Sequence, residues 1–379
     1  MGPLEGVRVV ELAGIGPGPF CGMLLADLGA EVVVVDRKGG SLPFGAQPRF
    51  DFTRRGKRSI AVDLKQLGAA EVVLRLVEKA DALLEGFRPG VMERLGLGPD
   101  ACLARNARLV YGRLTGWGQG GPLAQAAGHD LNYVALSGLL FHGGHRSSAP
   151  SIPPTVVGDV GGGAMFMAVG LLAGILRARA TGQGQVVDGA ITDGCAVMGM
   201  LVQGLRAQRL WTDRRQANAL DGGAHWYDCY ECADGGWISV GALEPQFYRL
   251  LIEKCGLAGE GLEQAQFDVA GWPKHKERFA ALFRTRTREQ WCALLEGTDV
   301  CFAPVLSLAE APGHPHNRAR AAYVEIDGLP QPAPAPRFSV TPAAVRSPSA
   351  GVGEQTKELL ESAGYTQDEI AVLSAAGVV

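Results

Sequence analysis

No single sign of charge dominates this sequence of 379 residues: 36 Lys and Arg stand against 39 Asp and Glu, a net of −3. That balance removes the bulk attraction to nucleic acid that a basic surface supplies. A cleavable leader is not expected either. The first apolar run, Val7 to Leu12, is short, carries Arg8 and Glu11, and soon meets Gly and Pro. No run is expected to reach transmembrane length, because Gly161 to Leu176 is interrupted by glycines and stops a residue or two short of about 18. Zinc spacing is lacking as well. Cys21, Cys102, Cys195, Cys229, Cys232, Cys255, Cys292 and Cys301 are scattered, and Cys229-Tyr-Glu-Cys232 has no second Cys or His pair to match it. Scattered thiols suit a reducing compartment, so the expectation is a cytoplasmic protein without a metal. There is no internal repeat. At 47% hydrophobic and 20% charged, the composition is that of a folded globular chain, which excludes disorder.

What is present is an alternation of strand and helix patterns. Val7 to Leu12 reads as a strand, Phe20 to Leu28 as a helix, and Glu31 to Asp36 as a strand whose Val run suits a parallel sheet covered on both faces. Ser59 to Leu64, Ala82 to Glu85, Leu109 to Leu114 and Gly182 to Ile191 continue the strands, with helices at 69–80, 89–95 and 164–180. The expected fold is α/β, a Rossmann-like doubly wound parallel sheet, with a second, smaller α+β domain. The large domain is expected over residues 1–200, completed by 325–379. A polar stretch at 201–224 reads as a linker, 225–310 as the small domain and 311–324 as a second linker. Within the small domain, Trp226 to Val240 reads as a hairpin turning at Ala233 to Gly236.

Several motifs carry chemistry, each beside a plainer reading. Gly14-x-Gly16 after a strand, with Asp36 ending the next, has part of a dinucleotide fingerprint. Pro19 stands at the third glycine position, and Pro17 removes an N–H that a pyrophosphate would use, so a tight scaffold turn is the alternative. Arg54-Arg-Gly-Lys-Arg58, with Arg37, Lys65, Arg88 and Arg94 at loop positions, suits a multiply phosphorylated ligand; the alternative is a solvated charged face. Gly128-His129-Asp130 opens a helical pattern, setting an imidazole beside free backbone N–H groups. Asp159, before Gly161-Gly-Gly163, is either a helix cap or a carboxylate that backbone and ligand approach closely. We expect His129 and Asp159 to face each other across one carbon atom. Glu244, between a strand and a helix, is an exposed loop acid or a partner that orients His129. Met165, Met167, Met198 and Met200 are core residues or a plastic wall for acyl chains.

Taken together, Val9-Val-Glu-Leu-Ala-Gly-Ile-Gly-Pro-Gly-Pro19, Ala30 to Arg37, Glu85-Gly-Phe-Arg-Pro-Gly-Val91, Leu114-Thr-Gly-Trp-Gly118, Gly128 to Tyr133, Gly158-Asp159 and Tyr230 to Gly236 resemble the family III CoA-transferase superfamily, and within it the alpha-methylacyl-CoA racemases. The resemblance covers nearly the whole chain and is weakest in the last forty residues or so. It implies a two-domain subunit in an interlocked homodimer, in which the second domain of one copy completes the site of the other. It implies His129 and Asp159 as the acid/base pair, with Glu244 supporting His129. For coenzyme A, bound as part of the substrate, it points to Arg37, Val62, Asp63, Leu64, Lys65, Gly86, Phe87, Arg88, Arg94, Gly128, Asp130, Leu131, Asn132 and Tyr133. Thr155 departs from the pattern, standing where racemases carry Asn. The implied activity is interconversion of (R)- and (S)-2-methylacyl-CoA thioesters, without a cofactor, nucleic acid or membrane. CoA transfer through a covalent Asp159 intermediate is the alternative; a non-catalytic acyl-CoA binder is a third reading.

Overall fold

A computed structural model describes residues 2–40, 45 and 47–379. It divides into two compact units, one of residues 1–137, 153–198 and 321–379, the other of 138–152 and 199–320.

The first unit is built on a sheet of six parallel strands. In chain order it contains β1 (Arg8–Leu12), α1 (Pro17–Asp27), β2 (Glu31–Arg37), β3 (Arg58–Val62), α2 (Ala69–Val77), β4 (Ala82–Glu85), α3 (Val91–Arg94), α4 (Pro99–Arg105), β5 (Val110–Thr115), α5 (Asp130–Ser137), α6 (Phe166–Thr181), β6 (Gln185–Ala190) and α7 (Ile191–Met198). The strand order is β3-β2-β1-β4-β5-β6, so the chain reverses its direction of travel between β1 and β4. This is the doubly wound parallel sheet expected from the alternating pattern. The period-2 rule divides each strand between two faces. Val10 and Leu12 of β1 join Val33, Val35, Ile60 and Val62 in a core covered by α2 and by Leu359, Leu360, Tyr365 and Val378 of the C-terminal segment. Glu11 points to the other face, toward α1.

The basic cluster at 54–58 does not hold phosphate. Arg54 pairs with Asp36, Arg55 with Asp27 and Lys57 with Glu11, each at 2.6 Å and nearly without solvent. Arg58 reaches Glu31 and Glu358. Asp36 also accepts from Ser59 Oγ at 2.5 Å and is buried, so no ribose can reach it and the dinucleotide reading fails. Strand ends that read as exposed loops are covered by the C-terminal segment, where Ala350 C=O accepts from Arg54 Nε and Pro332 C=O from Arg55 Nη1.

The glycine-rich stretch at 158–163 is helical rather than a loop. Residues Val156–Met165 form wide turns, with Val160 N–H donating to Thr155 C=O at 3.3 Å, and run straight into α6. The continuous helix Val156–Thr181 has 26 residues and a mean hydropathy of 1.7, long and apolar enough to cross a membrane by those measures, with 39% of that window buried. The sequence expectation fell short because it counted the glycines as breaks. Two glycines of α6 let it lie close on the sheet: a Cβ at Gly170 would meet Val187 at 2.8 Å, and one at Gly174 would meet Val110 at 2.7 Å.

The second unit carries α8 (Met200–Ala207), β7 (Tyr227–Glu231), β8 (Trp237–Gly241), α9 (Pro245–Lys254), α10 (Trp272–Phe283), α11 (Arg288–Leu295), β9 (Phe302–Val305) and α12 (Pro315–Ala319). β7, β8 and β9 form an antiparallel sheet, packed through Tyr230, Ile238 and Val240 against Tyr248, Phe279, Phe283 and Trp291. This unit exceeds the 225–310 segment suggested by patterning. The polar 201–224 stretch is folded, because buried Asn218 donates to the carbonyls of Thr212 and Arg214 and to Asp221, and accepts from Thr212 N–H. The 311–324 stretch likewise contains a helix.

Candidate active site

In an open parallel sheet, the loops leaving the strands part where the winding reverses, and a crevice opens there. A cavity of about 360 Å³ occupies that place at the carboxyl ends of β1, β4 and β5. Its wall includes the Gly14–Pro19 turn, Glu85, Gly86 and Arg88, then Trp117, Gly128, His129, Tyr133 and Asp159.

His129 immediately precedes α5 and is exposed. Its N–H donates to Asn132 Oδ1 at 3.1 Å while its C=O accepts Asn132 N–H at 2.8 Å, which secures the helix start. Tyr133 Oη donates to Gly128 C=O, and the Tyr133 ring meets Trp117 edge-on with centroids 4.8 Å apart. Gly128 lies so close to both rings that a Cβ would sit 2.7 Å from Tyr133 Cε1 and 2.9 Å from Trp117 Cζ2. The imidazole therefore projects from a rigid base. Among the described residues no acceptor is recorded for the N–H groups of Asp130 and Leu131, so both are available at the positive end of α5.

Asp159 stands inside the wide helical turns, and Thr155 is the residue that precedes them, at φ 55°. A β-branched residue is strained there, where Asn fits more readily. The Asp159 carboxylate comes against Gly16, where a Cβ would be 2.6 Å from Oδ2. The absent side chain and the φ of +75° at Gly16 thus explain the N-terminal glycine motif. Asp159 N–H donates to Asp130 Oδ1 at 2.7 Å. Burial, then the negative charge of Asp130, raise the Asp159 carboxyl to about 6, while the charge of His129 acts in the opposite sense. His129 and Asp159 thus line one cavity, near enough for the charge of one to bear on the other.

The remaining expected ligand residues fall into groups. Gly86 and exposed Arg88 line the cavity. Phe87 packs partly into the core and its N–H donates to Glu85 Oε2 at 2.7 Å. Arg94 is exposed on α3, outside the cavity wall. Arg37, Asp63 and Lys65 gather at the ends of β2 and β3. There Lys65 N–H donates to Asp63, whose carboxyl is held low first by the Gln66 hydrogen bond and also by the charges of Lys65 and Arg37. Leu64 is partly buried against the core, and the Val62 side chain is fully buried. A ligand cannot touch the Val62 side chain, which the alternation of β3 turns inward. Leu131 and Asn132 are exposed on the first turn of α5. Met167 is core, whereas Met165, Met198 and Met200 are exposed, so the methionines do not act as one set. Glu244 belongs to the second unit, precedes α9 with its side chain exposed and uncapped, and adds its charge to burial in raising the Cys301 thiol.

Sequence reading passed over an ion-pair chain at the cavity wall, with Glu85 and Arg113 buried and Glu93 exposed. Arg113 donates through Nε to Glu85 at 3.0 Å and through Nη1 to Glu93 at 2.8 Å. The signal was an opposite-charge pair in register on two otherwise apolar strands, Glu85 beside Arg113. No group of three or more His, Cys, Asp or Glu among the described residues is placed to hold a metal ion.

The sequence signature of CoA-transferase family III covers residues 4–356. An alpha-methylacyl-CoA racemase of Mus musculus is 45% identical over 381 residues, 99% of this chain and 97% of its own. Its counterpart of Homo sapiens is 42% identical over 99% and 97%. Among solved structures, a CAIB/BAIF family protein from Brucella suis superposes with a TM-score of 0.82 at 25% identity, covering 96% of this chain and 99% of its own.

Proposed function

The chain belongs to CoA-transferase family III, and we propose that within it the protein interconverts (R)- and (S)-2-methylacyl-CoA thioesters by moving a proton off one face of the α-carbon and onto the other. The observation that carries this reading is the pairing of His129 with a carboxyl raised to about 6 on the wall of one cavity. Removal of the α-hydrogen generates an enolate, which the thioester itself stabilises, so no cofactor is required. One group must arrive as base and the other as acid. A carboxyl with an ordinary value of 3.8 would hardly ever carry a proton at neutral pH; Asp159, raised to about 6, carries it roughly a hundred times more often. Each well-placed acid or base contributes about 10²–10⁴-fold. The free N–H of Asp130 at the α5 start is suited to the thioester oxygen, where such a donor contributes roughly 3–4 kcal/mol.

Arg88 beside the cavity, with Arg37, Lys65 and Arg94 beyond it, suits the phosphates of coenzyme A. The working form is read as a homodimer in which Glu244 from a second copy supports His129; an uncovered apolar face on α6 and α7 supports the association. Eight free thiols support a cytoplasmic setting.

CoA transfer is the competing chemistry, with Asp159 as nucleophile. It requires an ionised carboxylate and has no use for a second base, so both His129 and the raised Asp159 favour proton transfer. The test is incubation of a single enantiomer of a 2-methylacyl-CoA in deuterated water. Gain of α-deuterium together with loss of optical purity is expected, with both abolished by His129→Ala. If neither occurs across a panel of acyl chains, or if His129→Ala still moves CoA to a free acid, the racemase reading is wrong.

A further inference from the structure

We propose that Asp130 is a positioning residue for the acid/base pair: its buried side chain anchors the segment bearing Asp159 and places a second acid next to it. This rests on the proton-transfer reading above and assigns the Asp130 carboxylate a task separate from that of its backbone N–H.

The geometry is specific. Asp130 is only 6% exposed, yet no cation pairs with it among the described residues; its one recorded side-chain bond is the 2.7 Å contact from Asp159 N–H. A buried carboxylate with a single amide partner is costly for stability alone. The fold nevertheless makes room for it. Gly158 has no side chain where a Cβ would lie 2.5 Å from Asp130 Oδ1 and 3.0 Å from Val134 Cγ2. Gly158 has no positive φ, so glycine is needed there for space rather than for backbone freedom.

The other ionisable groups near Asp159 can be named element by element. From α5 come His129, Asp130 and Tyr133, the last of which feels Asp159 and, more weakly, Arg88. From α7 comes Cys195, a buried thiol pushed up to about 11 by burial and by the charges of Asp130 and Asp159, and so neutral. The α1 start presents Gly16 and Pro17, which do not titrate. Among the described residues, Asp130 is therefore the only neighbour whose charge disfavours ionisation of Asp159, and His129 the only one that opposes it. Asp130 meets Asp159 at its backbone N–H, and a like charge that close disfavours ionisation of the Asp159 carboxyl.

The conservative test is Asp130→Asn, which keeps an oxygen to accept Asp159 N–H and removes the charge, beside Asp130→Ala, which removes both. Deuterium exchange is followed against pH in each, and the Asp159 carboxyl is titrated directly by ¹³C NMR of aspartate-labelled protein. In Asp130→Asn the acid limb of kcat/KM and the Asp159 titration are expected to move together to lower pH by about one unit, because loss of a like charge makes the carboxyl easier to ionise. Asp130→Ala is expected to lose activity further, at least tenfold below Asp130→Asn. An Asp159 titration unmoved in Asp130→Asn, or equal activity in the two variants, overturns the proposal. The NMR titration needs no turnover, so a chain that moves the Asp159 titration but exchanges no α-hydrogen would refute the racemase reading and not this one.

Discussion

At the scale of single residues, the site depends on side chains that are absent as much as on those present. Gly16, Gly128 and Gly158 each lie where a Cβ would collide, with Asp159, with two aromatic rings and with Asp130 respectively. Those glycines were visible in the sequence, but their purpose was not, since a glycine string reads equally as a turn, a phosphate loop or a cap. Asp159 shows the same limit. Its identity and its glycine neighbours stood out, whereas its raised carboxyl depends on burial and on Asp130, which only the packing supplies. The consequence for catalysis can be measured. Below about pH 6 Asp159 holds a proton and cannot act as the base, so kcat/KM in the direction in which Asp159 takes the α-hydrogen is expected to fall tenfold per pH unit on the acid side, with the bend near 6. A bend near the ordinary aspartate value of 3.8 would show that the Asp159 carboxyl is not raised.

At the scale of elements, what looked like a surface is core. The Arg54–Arg58 run precedes β3, and a basic run at a sheet edge suggests phosphate. Instead three of its cations are buried against acids from α1, β1 and β2. A pattern of charges cannot say which partner faces it, because the partners lie 18–46 residues away. Gly22 records the pairing: a Cβ there would be 2.9 Å from Lys57 Nζ and would collide with Glu11. Breaking a buried pair by removing one member leaves the other charge unmet, at about 3–5 kcal/mol. Lys57→Met is therefore expected to lower stability by that amount in denaturant titration, while Lys57→Met combined with Glu11→Leu regains a good part of it. A single variant within 1 kcal/mol or so of wild type would show that the pair is not buried in solution. The wide-turned helix before α6 is a second case. Glycines at 161–163 count as breaks by propensity, yet they permit close packing on α7, where a Cβ at Gly162 would meet Cys195 Sγ at 2.6 Å.

At the scale of the whole molecule, the helices packed on the six-stranded sheet leave apolar side chains uncovered. Val169 and Leu176 on α6 are 66% and 72% exposed, and Val186 on the edge strand β6 and Val197 on α7 are exposed as well. Apolar patches of this kind mark association surfaces. With a second copy as the expected occupant, Val169→Glu combined with Leu176→Glu should convert a particle of twice the chain mass into one of single mass in sedimentation. α-Deuterium exchange should fall with it if Glu244 comes from the partner. Wild-type protein sedimenting at single chain mass at micromolar concentration would refute the dimer.

The sequence alone determined the parallel α/β architecture, because a strand buried on both faces must be apolar almost throughout and helical patterns alternate with such strands. It also determined the family, several of whose motifs, among them Gly14 to Pro19, Glu85 to Arg88 and Gly128 to Tyr133, line the cavity. Tertiary structure decided which charges are free to meet a ligand and which neutralise one another, and where Asp159 stands on the proton scale. Burial and pairing are sums over neighbours distant in the chain, and no local pattern contains them.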